Sequence, residues 1–170
     1  MIYDSPTSDV PLSQGDLIDG CPLFRQLATA EVIDLNEMPA GWLSRVIVLT
    51  QACDLAHAKT SKVLVAAVHD AAELVQKGIL KAPLVRDQVR RGLVYGWYFL
   101  PAAPAPIHVP ESIVDLRDVH TVSRRVLEHL IAQGHRVARF VTPYREHLAQ
   151  HFTVGVTGIP LPSDGPPARG

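Results

Sequence analysis

The sequence has little of what identifies secreted, disulfide-stabilised or membrane proteins. It contains two cysteines in 170 residues and only 6% aromatic residues. Two thiols in a chain of this length do not make a disulfide framework, so we expect both to be reduced. No segment approaches the roughly 18 consecutive apolar residues of a membrane span, and the N-terminus is polar and acidic. We therefore expect a cytoplasmic protein with no membrane partner.

The formal net charge of the chain is also small, at −1. This value argues against a surface that is basic throughout and binds nucleic acid everywhere. The charges are nevertheless unevenly placed, because acids dominate residues 1–37 while bases dominate residues 77–91 and 117–145. These two stretches either form a basic face or are ordinary solvated helix surfaces.

What is abundant is apolar residues, at 47% of the chain. A chain of this size and composition can bury the core of one domain. We predict a single domain over residues 1–160 and a disordered tail over 161–170, since the tail is rich in proline, glycine and polar residues. The residue patterns predict a mainly β protein with added helices, of the α+β class.

Two short β-branched runs, 45–51 and 62–68, are hydrophobic almost without interruption, as strands buried on both faces are. We predict adjacent antiparallel strands joined by a turn over 56–61. Their valines should be buried: Val46, Val48, Val63 and Val65. Further strands are predicted over 14–24, 30–38, 94–102 and 112–122. The segment before residue 14 is expected to lie loosely on the surface.

Helical patterns occupy three places. An insertion over about 70–92 holds two short helices, the first capped by Asp70 and ended by Gly78. A helix is predicted over 123–134, and a C-terminal helix is predicted to begin at Thr142 and Pro143.

The segment between the two β-branched runs gathers residues that can do chemistry: Gln51, Cys53, Asp54 and His57. A thiol with a nearby base can act as a nucleophile, while a single Cys-x₃-His pair is weak evidence for zinc. The simpler interpretation is a turn in which Cys53 is mostly buried and Asp54 bonds backbone amides. We expect neither a metal nor a cofactor.

The order of four patches resembles the MazF and PemK toxin family. Gly15 and Asp16 stand where that family begins its first strand, 45–51 resembles its R-P-V-V-V-L-S strand, and 64–70 and 113–127 resemble later elements. The resemblance implies an SH3-like small barrel with inserted helices and a C-terminal helix. It also implies a toxin-like or defence-associated bacterial homodimer that acts on or binds RNA, with an antitoxin as a further partner.

Metal-independent RNA cleavage needs a base, an acid and a cation for the phosphorane charge. Arg45 could supply the charge, and His69 and His120 the proton transfers, because all three lie at or beyond predicted strand ends. Cys53 is a further catalytic candidate. The candidate RNA-binding residues are Gln51, Asp54, His57, Thr121 and Arg124.

The sequence also departs from the family's pattern. Val46 follows Arg45 where the family has proline, and His69 and Asp70 replace the Thr-Ser pair that serves RNA cleavage. These departures leave a second hypothesis open, a non-catalytic protein-interaction or sensor module on the same fold. A third hypothesis is a thiol-dependent enzyme that uses Cys53.

Overall fold

The computed structural model describes residues 2–25, 40–57 and 60–157. The predicted tail and the whole of the predicted strand 30–38 lie outside these ranges. The described strands are β1 (Tyr3–Asp4), β2 (Asp16–Arg25), β3 (Ala40–Val48), β4 (Lys62–Asp70), β5 (Trp97–Leu100), β6 (Ser112–Ser123) and β7 (Arg136–Phe140). The helices are α1 (Ala52–Ala56), α2 (Ala71–Gln76), α3 (Ala82–Leu84), which continues as a π-turn (Val85–Val89), α4 (Arg124–Ala132) and α5 (Tyr144–Thr157).

The strands form one antiparallel sheet in the order β1-β7-β2-β3-β4-β6-β5. The predicted α+β class, mainly β, is therefore correct. The sheet is not closed, because β1 and β5 remain its two edges. The edges nevertheless approach each other, since the Tyr3 hydroxyl donates a hydrogen bond of 2.8 Å to the Pro101 carbonyl, just past β5.

The predicted central pair is confirmed. Strands β3 and β4 are antiparallel, with Arg45 opposite Val68 and Val48 opposite Val65. All four valines named from the sequence are fully buried. The runs lack polar alternation because each face of the sheet packs against its own core.

One core lies between the sheet and α5, and the other between the sheet and α4. The first includes Leu17, Ile47, Ala66, Val114, Phe140 and Leu148. The second includes Ile18, Val46, Val65, Leu55, Leu127 and Ile131. A smaller cluster under α2 and the π-turn includes Leu74, Val89, Trp97 and Ile113. The strands that carry the candidate residues are thus fixed on both faces.

The expectation of a loose N-terminal segment is wrong. Tyr3 pairs with Phe140 of β7, and Leu12 is buried. The cause is a buried carboxylate, because Asp16 binds Arg136 and Arg139 of β7, whose guanidinium groups also bond carbonyls of residues 7–11.

The helical insertion follows the prediction closely. The Asp70 side chain accepts hydrogen bonds from the amides of Ala72 and Glu73, at 2.7 and 3.2 Å, and caps α2. The C-terminal helix begins at Tyr144, slightly later than predicted, and the Thr142 hydroxyl donates to the Glu146 carboxylate. Within the described ranges, no helix has both the length and the apolar character needed to cross a membrane.

Candidate functional site

Most of the candidate residues come from two neighbouring parts of the chain, the β3–β4 connection and the β6–α4 junction. We call this group the hairpin-tip site. Its members are Gln51, Cys53, Asp54, His57, Thr121 and Arg124. The two parts adjoin because Lys62 lies opposite Ser123 and Leu64 opposite Thr121 in the sheet.

The connection is more ordered than the predicted turn, because it begins with the short helix α1. Leu55 anchors this helix, since its side chain is 1% exposed and packs among Val48, Val63 and Leu127. The polar residues on either side of Leu55 are consequently turned away from the core.

Cys53 is exposed, so the expectation that it is buried is wrong. In a helix, residues two positions apart do not face the same side, and Leu55 occupies the inward side. The Cys53 sulfur lies 3.6 Å from Gln51 Oε1 and 3.9 Å from Asp54 Oδ1. An amide and a carboxylate therefore flank a thiol that solvent can reach.

Arg124 connects the two parts of the site. Its Nη1 donates to the Leu55 carbonyl at 2.9 Å, and its Nε donates to Glu128 Oε1 at 2.6 Å. The backbone amide of Arg124 donates to the Ser61 carbonyl at 2.9 Å. These bonds fix the first turn of α4 against the end of the β3–β4 connection.

A cleft of about 310 Å³ adjoins this junction. It is lined by Ser61, Lys62, Thr121, Val122 and Ser123. Ser123 stands at the N-cap position of α4, yet its side chain makes no capping hydrogen bond. Hydroxyl groups, an exposed lysine and the positive end of a helix dipole are groups that bind phosphate.

The remaining candidates lie elsewhere. Arg45 and His69 line one cleft of about 280 Å³, together with Asp19, Asp70 and Ser112. This cleft is at the opposite end of β4 from Lys62, roughly 26 Å away at 3.3 Å per residue.

Arg45 is already paired at that end of the sheet. Its Nε and Nη2 donate to the two carboxylate oxygens of Asp19 at 2.5 and 2.8 Å. The hydrogen bonds to Asp19 raise the pKa of Arg45 above its usual value, and burial opposes this rise. A guanidinium held in this way is less available to a phosphorane.

The structure does not bring His69 and His120 together. His120 lies opposite Val65, four residues before His69 on β4, which is about 13 Å along the strand. The His120 Nε2 lies 3.0 Å from Asp118 Oδ1, and its ring meets Trp42 edge-on at 5.7 Å. His69 and His120 therefore lie in different environments.

Sequence reasoning missed Asp19 as the partner of Arg45 and Asp16 as the partner of two arginines. Neither carboxylate has a local signal, because these ion pairs join residues far apart in the chain. Among the described residues, no group of three or more His, Cys, Asp or Glu side chains could hold a metal ion.

Comparisons with known proteins identify no family for this chain. A scan against protein-family models finds no match, and no curated protein is significantly similar to it. The resemblance to the MazF and PemK toxins rests on the four sequence patches alone and stays a prediction.

Proposed function

We propose that the protein is a toxin-like or defence-associated bacterial protein that binds RNA through the hairpin-tip site. The observation that carries this proposal is the junction of α1 and α4, where Arg124 bonds the Leu55 carbonyl beside the cleft of Lys62 and Ser123. Thr121 and Arg124 at this junction are candidates from the sequence, whereas Lys62 and Ser123 emerge as candidates only from the cleft that they line.

The charges around the junction favour an anion. Lys62 is exposed and lies opposite Ser123 at the positive end of α4. Arg124 instead acts as a positioning residue, because its guanidinium is already paired with Glu128 and the Leu55 carbonyl. Phosphate contacts of this kind hold RNA without reading its sequence. The hydroxyl groups of the cleft add donors for phosphate oxygens.

Binding is better supported than cleavage. The two histidines proposed for acid-base chemistry are separated on β4 and β6, and Arg45 is held by Asp19. General acid and base must both reach the reacting phosphate within hydrogen-bond distance. If His69→Ala and His120→Ala each lowered RNA cleavage about a hundredfold, the cleavage hypothesis would regain support.

A small barrel of the MazF and PemK type remains part of the proposal. The hydrogen bond from Tyr3 to Pro101 joins the neighbourhoods of the two edge strands, as expected of a sheet coiled nearly into a barrel. Tyr98 and Phe140, from strands near opposite edges, also pack edge-to-face at 6.1 Å inside the curve.

Fluorescence anisotropy with a labelled single-stranded RNA tests the binding proposal. Lys62→Gln should weaken binding by a factor of about three to ten and lower the slope of log K against log salt by about 0.7, because one phosphate contact is lost. Arg86→Gln is the matched control, since Arg86 is an exposed base on the helical insertion.

Equal losses of affinity in both variants would show that RNA does not prefer the cleft of Lys62 and Ser123 at the hairpin-tip site. A larger loss in Arg86→Gln would place RNA on the basic insertion. If the parent protein does not bind RNA at all, the proposal fails, and the interaction-module hypothesis is the one to pursue.

A second candidate function is a thiol-dependent enzyme, which the exposure of Cys53 favours. Hydrolysis of p-nitrophenyl acetate, a general acyl substrate, should fall about a hundredfold in Cys53→Ser if the thiol is the nucleophile. Cys21→Ala is the control because Cys21 is buried and burial raises its pKa to about 11. Equal rates in parent and Cys53→Ser would end this candidate.

A further inference from the structure

A large cleft lies on the helical insertion, away from the hairpin-tip site. Its volume is about 650 Å³, and it is bounded by α2, α3 with its π-turn, and the residues that precede β6. This volume is within the range of sites that hold small molecules. Asp70, which caps α2, borders both this cleft and the cleft of Arg45.

The walls of the cleft are mainly apolar. They are formed by Ala71, Ala72, Val75, Ala82 and Val85. Small side chains facing one another from α2 and α3 leave room between the two helices for an aliphatic or aromatic body. The side chains of such a wall cannot form hydrogen bonds with the polar edges of a nucleotide base.

Two arginines also line the cleft. Arg86 and Arg90 both line the cleft and lie four residues apart, at the π-turn and its C-cap. The Arg90 guanidinium lies over the Phe99 ring at 4.6 Å and also pairs with Glu111. Stacking holds the guanidinium plane in one orientation while its edge remains able to bind an anion.

The ion pairs of these arginines are more exposed than the pair of Arg45 and Asp19, in which the Arg45 side chain is 22% exposed. Arg86 and its partner Asp87 are mostly exposed, and Arg90 and Glu111 are each about half exposed, at 48% and 50%. Ion pairs exposed to this extent contribute little to stability. A ligand carboxylate that also buries an apolar body would therefore compete well with the carboxylate of Glu111.

We propose that this cleft binds a small organic carboxylate, with its apolar body between α2 and α3 and its carboxylate on Arg90 and Arg86. The carboxylates of Asp70 and Glu111 also line the cleft; they repel any anion, and their repulsion is much larger for a polyanion such as RNA than for a ligand with one carboxylate. The site is thus distinct from the one proposed for RNA, and either proposal can fail alone.

Isothermal titration calorimetry with the n-alkyl carboxylates from butanoate to decanoate, below their micelle concentrations, tests the proposal. Affinity should rise about fourfold per added CH₂ until the apolar body fills the cleft. Octanol, the neutral match of octanoate, should bind at least tenfold more weakly because it lacks the anion that the arginines bind.

Two pairs of variants locate the site. Ala72→Leu fills the cleft without changing charge and should weaken octanoate binding at least tenfold. Ala132→Leu, at an exposed position of α4 outside the cleft, should not weaken it. Arg90→Gln should lower the affinity for octanoate about tenfold. Arg91 is an exposed neighbour of Arg90 that does not line the cleft, so Arg91→Gln should leave this affinity unchanged.

Equal affinities for octanol and octanoate would overturn the recognition of a carboxylate. Unchanged octanoate binding in Ala72→Leu, or no binding of any member of the series by the parent protein, would overturn the site itself.

Discussion

Asp16 shows how strongly one side chain can depend on residues distant in sequence. Its carboxylate is fully buried and accepts hydrogen bonds from Arg139 at 2.6 and 3.0 Å and from Arg136 at 3.2 Å. The Ser13 amide donates to the same carboxylate at 3.0 Å. Both arginines also bond the Pro11 carbonyl, so this carboxylate joins the N-terminal segment to β7.

Replacing Asp16 by Asn should lower the free energy of unfolding by about 3 to 5 kcal/mol, because two largely buried guanidinium groups lose their counter-charge. Urea denaturation measures this change. Asp87→Asn, which removes an exposed partner of Arg86, is the control and should leave the midpoint nearly unchanged. Equal midpoints for the two variants would contradict this account of Asp16.

Elements with a strong local pattern were predictable, and those defined by distant partners were not. The runs that became β4 and β6 each contain three valines, and Asp70 and Gly78 delimit α2 as predicted. Strand β7 was missed because two of its five residues, Arg136 and Arg139, are arginines whose role depends on Asp16.

The same distinction applies to the candidate site. Residues 51–57 were recognisable by their side-chain types, since those types carry out chemistry wherever they are exposed. The exposure of Cys53 was not predictable, because it depends on Leu55 turning α1 towards a core formed by other strands. The pairing of Arg45 with Asp19 likewise depends on how β2 lies beside β3.

Gly15 shows how closely neighbouring elements pack. Its φ is +84°, and a Cβ at this position would lie 2.5 Å from the Phe140 carbonyl oxygen of β7. Gly15→Ala should therefore destabilise the protein by more than the roughly 1 kcal/mol of a strained backbone alone. Chemical denaturation gives the comparison with Gly78→Ala, where φ is +70° but the added Cβ meets nothing within 4 Å. A smaller effect at Gly15 than at Gly78 would show that β7 can move aside.

The resemblance to the MazF and PemK family also motivates a prediction about how the protein assembles. We propose a homodimer, and the exposed Phe24 and Leu43 on the β2–β3 ribbon are suited to such an interface, at 62% and 73% exposure. Light scattering at micromolar concentration should give about twice the 18.6 kDa mass of one chain. Leu43→Asp should reduce this mass to that of one chain, whereas Ile79→Asp, at 57% exposure on the helical insertion, should not. A parent mass of one chain would contradict the proposal.

The position of β7 between β1 and β2 also bears on how the chain folds during synthesis. Because residues 136–140 occupy the place beside β2, that edge of β2 has no partner until about 110 further residues have been synthesised. An unpaired strand edge can pair with other chains and favours aggregation. The nascent chain therefore exposes an edge able to pair with other chains throughout the synthesis of the segment between β2 and β7.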